Sequence, residues 1–404
     1  PTARPGDVRR AVGVSPPIGE RQSYDAVVVG SGPAGAVAAL GLARVGLSVL
    51  LVEKKTFPRP KVCGGCLSGN AVATLRNLHL WERVGPYATP LDRFEWRNAG
   101  SRPVSVPTAG GWAIERSVLD RLLVDAAVEA GATFRDGTSA KLTQDETSSA
   151  AEQAVELRSI RPGRTAASVT AATVIWAAGL GGGPDARFTI ESAESSRVGV
   201  GAILAAGRDD LPAGAIVMAS GDAGYVGCVR LADGRLDAAA AVDRAALRAG
   251  GAGRVVADLA TRAGLSAATV DSLRDADWLG TPTLTRKTRP LAVGGIFLVG
   301  DAAGYVEPFT GEGIGWALGS GSDVVPFAAR RIDAVRDGRP DDEALVRAWA
   351  ERYDSRVGRE QRWCRAIRRG LRSGLARRAA AGTVRFVPVA ARPVTIHLGL
   401  SAGV

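Results

Sequence analysis

The sequence predicts an α/β protein: a Rossmann-like nucleotide-binding domain, an antiparallel-sheet domain inserted into it, and a set of C-terminal helices. Three observations predict it. An apolar strand, a small-residue helix and a second apolar strand follow one another between Tyr24 and Glu53. A strand of the same kind returns at Ile296–Val299, with a glycine-rich turn behind it. Between the two, residues 198–242 hold short apolar runs punctuated by Asp222, Gly224 and Gly234, as antiparallel strands do.

Each element follows from its residues. Tyr24–Gly30 is an apolar run closing on glycine, which reads as a buried parallel strand. Pro33–Val45 is small and apolar, with Arg44 near its end and Gly46 behind it, so it reads as a helix with a glycine stop. Ser48–Val52 is the second strand, ended by Glu53. Leu91–Arg97 and Arg102–Pro107 read as short strands. In Ser117–Ala130, Leu119, Leu122, Leu123 and Ala126 share one helical face, and Gly131 stops the helix. Residues 140–170 alternate like a hairpin or meander, and Thr173–Trp176 is a strand leading into Ala178-Gly179. Val198–Leu204, Gly224–Leu231 and Leu236–Val242 are the inserted strands. Alanine-rich helices fill 243–275, a long helix starts near Gly311, and 340–380 is helical and rich in arginine. The expected division is a loose tail at 1–22 and a discontinuous nucleotide-binding domain at 23–85, 113–196 and 289–335. A substrate domain takes 86–112 and 197–288, and a helical segment 336–404.

Composition narrows the function. With 46% hydrophobic residues among 404, a large core can be buried, yet no apolar run is long enough to span a membrane. The tail lacks the apolar core of a secretion signal, so a cytoplasmic location is the expectation. The net charge is +10, nearly all of it arginine, because Lys54, Lys55, Lys61, Lys141 and Lys287 are the only lysines. The arginines are spread out except near the C-terminus and accompany no nucleic-acid motif, which argues against a nucleic-acid partner.

Gly30-Ser31-Gly32-Pro33-Ala34-Gly35 fits G-x-G-x-x-G between a strand and a helix. Gly30 allows the tight turn, Gly32 lets backbone N–H groups reach a pyrophosphate, and Gly35 lets helix and strand pack closely. Glu53, followed by Lys54, stands where an acid holds the ribose hydroxyls. A second motif chooses between NAD and FAD. After Ile296–Val299 come Gly300-Asp301, then Pro308, Gly311, Glu312, Gly313, Ile314 and Gly315. Asp301 can accept a hydrogen bond from a ribitol hydroxyl. The helix after Gly311 can aim its N-terminus at the N1–C2=O edge of a flavin. The expected cofactor is FAD, bound without a covalent link.

With these motifs in place, the sequence resembles the FAD-dependent oxidoreductases of the geranylgeranyl reductase group, within the p-hydroxybenzoate-hydroxylase-like fold. Group A flavin monooxygenases and flavin halogenases share that scaffold. The resemblance runs from about residue 24 to 330. It rests on GSGPAG (30–35), Glu53, FPRPKVCGG (57–65), Arg116 in ERSVLDRLL, and GDAAGYVEPFTGEGI (300–314). It implies that Arg116 and Cys63 lie near the flavin and that the antiparallel sheet roofs the isoalloxazine. The sequence departs from the family at Ala178-Gly179, where an Asp-Gly pair is common. It departs again at Tyr225–Arg230, which lacks the halogenase tryptophans and the reductase aromatic-Pro-Lys stretch. The substrate is therefore not carried over, and NADPH, NADH or another electron donor remains open.

Cys63 and Cys66 admit three readings. A zinc site needs four ligands, whereas Cys228, Cys364, His79 and His397 are isolated, so no metal is expected. A redox pair would need a histidine partner, for which His397 is the candidate. In the third and favoured reading, Gly64 and Gly65 let backbone line the flavin, Cys63 borders it, Cys66 is a small packing residue, and Ser68 caps the next helix.

The expected activity is hydride transfer at flavin N5 to or from a polyprenyl- or polyketide-like metabolite. The alternative is hydroxylation of a hydrophobic or aromatic intermediate, ahead of halogenation or disulfide exchange. Cys63, Pro308, Gly311 and Glu312 are the catalytic candidates. Glu312 and Asp222 also have a plainer reading as capping or turn carboxylates. The roof is expected to be apolar, with Arg230 available to anchor one acidic end of a substrate. Trp363, Ile367, Leu371 and Leu375 recur among the arginines of 359–378. Such a helix either packs on its own domain or lies on an anionic membrane.

Overall fold

The computed structural model describes residues 22–386, except 144–150, 162–165, 206–210, 308, 310 and 340–341. Its central sheet is built on the strand Gln22–Val29. Val49–Val52 and Thr133–Arg135 extend it on one side; Ala167–Trp176 and Ile296–Leu298 extend it on the other. All these neighbours run parallel, with Val29 opposite both Val52 and Trp176. A parallel sheet buried on both faces needs no alternation of polarity, and Val27, Val28, Leu50 and Leu51 have no exposed surface. The meander read at 140–170 is an antiparallel ribbon. Thr138–Thr143 pairs with Gln153–Ser159, which pairs with the first half of Ala167–Trp176.

Helix Pro33–Arg44 follows the first strand and packs on helices Arg116–Glu129 and Gly313–Asp323. Small residues permit the close crossing. A Cβ on Gly321 would stand 2.2 Å from Ala34 O, and one on Gly41 would stand 2.6 Å from Val325 Cγ2.

The second sheet has the order Leu279–Thr283, Val198–Leu204, Leu236–Val242, Gly224–Arg230, Ala215–Gly221, Thr89–Asn98, Val104–Ala113, Cys66–Leu67. Its pairings are antiparallel except one: Ala215–Gly221 runs parallel to Thr89–Asn98. That joint brings together distant stretches of chain, so no tight turn imposes an antiparallel entry. Thr89–Asn98 and Val104–Ala113 are longer than their sequence signals. A bulge between Leu91 and Arg93 shifts the phase of burial, and Gly110, at φ +82°, interrupts the second strand.

Helices Arg244–Arg262 and Ala267–Arg274 cover one face of this sheet through Val256, Leu259 and Leu273. The other face presents Phe94, Trp96, Met218 and Tyr225 toward Tyr305 and Phe309. Phe309 meets the rings of Phe94, Trp96 and Tyr225 edge-on, at 6.1, 6.0 and 5.2 Å. The C-terminal helices Asp342–Tyr353, Arg359–Arg372 and Gly374–Phe386 follow, the first two joined by the π-helical turn Asp354–Gly358. Among the described residues no helix is long and apolar enough to cross a membrane.

Candidate functional site

The first strand ends at Gly30, where both backbone and packing require glycine. Its φ is +103°, and a Cβ would lie 2.4 Å from Ala177 O. A Cβ on Gly35 would lie 1.9 Å from Gly30 O. Gly32 differs: the nearest atoms to its Cβ position are the guanidinium ends of Arg59 and Arg116, both at 3.9 Å. Two glycines of the motif thus serve packing, and the third leaves a space edged by cations. Pro33 occupies the first turn of the following helix, and no side chain caps that N-terminus. Backbone N–H groups, a helix dipole and two guanidinium groups converge where a diphosphate would sit.

Glu53 is buried at the end of its strand. It accepts from Ser31 Oγ at 3.0 Å and Lys55 N at 3.0 Å, and Arg59 Nε lies 3.0 Å from its Oε2. Burial disfavours its charge, but Arg59 and these hydrogen bonds outweigh burial and hold its carboxyl below the ordinary range. Lys54 is exposed, so the cation serving Glu53 is Arg59, not its chain neighbour. Arg59 also reaches the fully buried Asp120, NH1 to Oδ2 at 3.0 Å. Asp120 in turn accepts two bonds from Arg116, from Nε and NH2, each at 3.0 Å.

The Gly300-Asp301 turn meets the same helix start. Gly300 has φ +58°, its Cβ position lies 2.9 Å from Ala34 Cβ, and its N–H donates to Ser320 Oγ at 2.9 Å. Asp301 is half-buried. Burial pushes its carboxyl up, against the pull of Lys61, Arg116 and Arg286. Ala178 lies against Gly30, and the Gly179 carbonyl accepts from Arg286 NH2 at 2.6 Å. Lys61 Nζ is 3.2 Å from the Gly179 Cβ position.

The cysteine loop closes the other side. Cys63 and Cys66 are free thiols. Burial raises the Cys63 thiol, Arg116 opposes this and Asp237 adds to it, so the sulfur is held protonated. Cys66 donates to Gly64 O at 3.2 Å, and burial raises its thiol too. Gly65, at φ +61°, is fixed by the protein: its Cβ would lie 2.7 Å from Ile114 O and 2.9 Å from Asp237 Oδ2. Gly64 has room, with Ala239 Cβ at 3.6 Å. Of the adjacent glycines, only Gly64 keeps a free side for a ligand. Ser68 caps the helix Gly69–Asn77 by accepting from Ala71 N.

Gly311, at φ +74°, lies over this loop, with its Cβ position 3.3 Å from Cys66 Cβ. A Cβ on Gly313 would lie 3.2 Å from the Tyr305 ring, and Ile314 is buried. Glu312 stands at the N-cap of helix Gly313–Asp323, but its side chain does not cap. Its Oε2 accepts from Ser68 Oγ at 2.9 Å, and its Oε1 is buried without a partner. Burial pushes its carboxyl up to about 8; Ser68 opposes this and Glu360 adds to it. Glu312 lines an open cleft of about 180 Å³ with Asn70, Thr74, Trp316, Arg356 and Glu360. Pro308 and His397 lie outside the described residues.

One expectation changes. Arg230 does not point a free guanidinium at a substrate, because it donates to the carbonyls of Leu211 and Gly234 at 2.7 and 3.1 Å. Asp222 has a 90% exposed side chain, paired with Arg377 outside the cleft. Sequence reasoning also missed Arg59, Lys61, Asp120, Asp237 and Arg286. Asp120 carried a signal, as an acid between Leu119 and Leu122 on an otherwise apolar helix face, four residues from Arg116. The sequence also left out the buried pair Arg197–Glu307, which lies at 3.0 Å beside Tyr225.

The residues present fit FAD. Gly32 leaves a space a Cβ would fill, Arg59, Lys61 and Arg116 can balance a diphosphate, Glu53 suits ribose and Asp301 suits ribitol. Two helix N-termini without side-chain caps serve the phosphates and the flavin. Comparison with known proteins agrees. A brominase acting on 1H-pyrrole-2-carbonyl-[peptidyl-carrier protein], from Pseudoalteromonas luteoviolacea (strain 2ta16), is 36% identical over 127 residues, 30% of each chain. The menaquinone reductase of Mycobacterium tuberculosis (strain ATCC 25618 / H37Rv) is 53% identical over 58 residues, 14% of each chain. The matched stretches therefore span less than a third of these curated relatives. The solved structure of a flavin-dependent brominase superposes with a TM-score of 0.73 at 18% identity, over 94% of both chains, which establishes the shared fold. The FAD binding domain family matches residues 23–354, and the chain belongs to it as an FAD-dependent oxidoreductase.

Proposed function

We propose that the protein reduces a carbon–carbon double bond in a hydrophobic metabolite of polyprenyl or prenylated-quinone type, as the geranylgeranyl reductase group does. The observation that carries this reading is the free Cys63 side chain beside Arg116, in the loop that joins the second sheet at Cys66; burial pushes its thiol pKa up. FAD, when bound, supplies hydride chemistry at N5, replenished by a nicotinamide or another two-electron donor. The chain's own residues do the rest. Arg59, Arg116 and the Pro33 helix start hold the diphosphate, and Glu53 and Asp301 fix the two ends of the cofactor. The buried face bearing Phe94, Trp96, Met218 and Tyr225, covered by Phe309, excludes water from this side of the site. Cys63 Sγ would give its proton to an alkene carbon of the substrate and regain one from solvent. Arg116 stabilises the thiolate in the interval. The local identity to a menaquinone reductase supports this reading.

The test is anaerobic. Enzyme reduced with dithionite is freed of excess reductant and mixed with a polyprenyl alkene or prenylated quinone, and flavin reoxidation is followed by the return of the oxidised flavin absorbance. Reoxidation with formation of the saturated product supports the proposal. Product that forms only when oxygen is added, with an oxygen atom incorporated, replaces it with the monooxygenase reading.

A further inference from the structure

Helix Arg359–Arg372 is fixed to the body of the protein along its length. Glu360 Oε2 accepts from Trp316 Nε1 at 2.5 Å, and Gln361 Nε2 donates to Gly304 O at 2.9 Å. Cys364 is buried in the core of the nucleotide-binding domain, and Arg368 NH1 donates to Ser195 Oγ at 3.2 Å. Helix Gly374–Phe386 is held differently. It lies on the strands Thr89–Asn98 and Val104–Ala113 of the second sheet. Among its described side chains only Arg377 and Ala381 are buried, and Leu375 is exposed. A helix held by packing buries a continuous apolar stripe, which this one lacks. Ala381 joins the cluster of Phe94, Trp96 and Tyr225, but its single methyl group contributes little. The chief tie is Arg377, which donates from Nε to Asn98 Oδ1 at 3.2 Å and pairs through NH2 with Asp222. Both partners can do without it. Asp222 is exposed, and Asn98 Oδ1 also accepts from Ser220 Oγ at 3.1 Å. Release of the helix therefore strands no buried charge or acceptor on the sheet, and Arg377 regains water. A joint is present too: Ser373, between the two helices, is extended, with ψ +124°.

We propose that helix Gly374–Phe386 is a lid, hinged at Ser373, that opens the edge of the aromatic face bearing Phe94 and Trp96 to an apolar substrate. Opening breaks the Arg377 contacts and lifts Ala381 off that face. Closing restores both and keeps water from the rings. An element held by one polar side chain and one methyl group opens far more cheaply than the whole protein unfolds. The lid follows from how the helix is held; the identity of what passes under it, a polyprenyl chain, rests on the reduction proposed above.

The test follows amide hydrogen exchange by mass spectrometry in the full-length, FAD-loaded protein. Residues 374–383 should exchange through an opening that leaves helices Pro33–Arg44 and Arg116–Glu129 protected. Arg377→Gln should speed exchange in that segment about tenfold, and Arg377→Lys less, with both internal helices unchanged. Entry is read with Nile red, a dye whose emission rises in apolar surroundings, and with geranylgeraniol as competitor. Dye entry should quicken in Arg377→Gln by the same factor. Unchanged exchange in Arg377→Gln overturns the lid. So does exchange that rises equally in Pro33–Arg44, since Arg377 then holds the whole fold. Faster exchange without faster dye entry also overturns it, because the helix then guards nothing. Faster entry of a dye that geranylgeraniol does not displace keeps the lid and removes the polyprenyl reading of the substrate instead.

Discussion

The Ser68 hydroxyl donates to Glu312 Oε2 at 2.9 Å across 244 residues of sequence. The bond ties the capped start of helix Gly69–Asn77 to the start of helix Gly313–Asp323. Glu312 therefore bears on the stability of the site. Its carboxyl is raised to about 8 by burial, against 4.5 for the ordinary group. In that interval the native state holds a proton that the unfolded chain has lost, so stability falls as pH rises from about 4.5 to about 8 and then levels. Glu312→Gln should remove this slope, on the order of a few kcal/mol, and keep the acceptor for Ser68. Thermal melts from pH 5 to 9 would show parallel curves for wild type and variant if Glu312 is ordinary.

Arg59 is expected to be the side chain on which the phosphate end of the cleft most depends. Replacing it with Met leaves Glu53 short of a cation and Asp120 with Arg116 alone, at a cost of about 3–5 kcal/mol. Arg59→Lys should recover part of the loss, because a single ammonium cannot bond both carboxylates as the guanidinium does. Urea unfolding and FAD release measure the two effects. An Arg59→Met protein with wild-type stability and full FAD would remove Arg59 from this role.

The two loop glycines should separate. Gly65→Ala forces a left-handed residue, costing about 1–2 kcal/mol, and drives a Cβ into Ile114 O, so the apoprotein itself should lose stability. Gly64→Ala meets only Ala239 at van der Waals distance. It should leave the apoprotein unchanged and weaken FAD retention. Equal apoprotein melting points for the two variants would count against this division.

Asp301→Ala should loosen FAD by about 1.5–3 kcal/mol, roughly tenfold or more in Kd. Asp222→Ala should not, since Asp222 is exposed and paired with Arg377 away from the cleft. Fluorescence titration of apoprotein with FAD distinguishes them, and matched affinities would withdraw Asp301 from the ribitol.

Cys66→Ser should leave flavin reduction intact, and Cys63→Ala should keep FAD while slowing product formation. A disulfide titrating in step with the flavin would instead restore the redox-pair reading.

The legible parts of this protein are those where the signal is local. Gly30–Gly35 and Gly300–Asp301 announce themselves because a tight turn, a close backbone approach and an uncapped helix each demand particular residues within a few positions. The central sheet is legible for the same reason, being built of continuous apolar runs. The Arg59–Asp120 contact is not legible, because it depends on a tertiary approach across 61 residues. Nor is the joint between Ala215–Gly221 and Thr89–Asn98, where no turn chemistry marks the pairing and a bulge at Leu91 disturbs the alternation. The sequence showed the C-terminal helix but not its orientation. The inward turn of Gln361 and Arg368 is set by partners at Gly304 and Ser195.

Ile296–Leu298 completes the parallel sheet beside Ala167–Trp176, more than a hundred residues after that strand is made. Until it arrives, a translating ribosome has released a chain whose Trp176 edge is unpaired and whose helix Pro33–Arg44 lacks the partner that packs on Ala34. Such a nascent chain carries long-range pairings that form slowly and an open strand edge that can recruit other chains. Cofactor loading must therefore wait until this strand has been made, and fragments ending before residue 298 should aggregate rather than fold as a minimal flavin-binding unit.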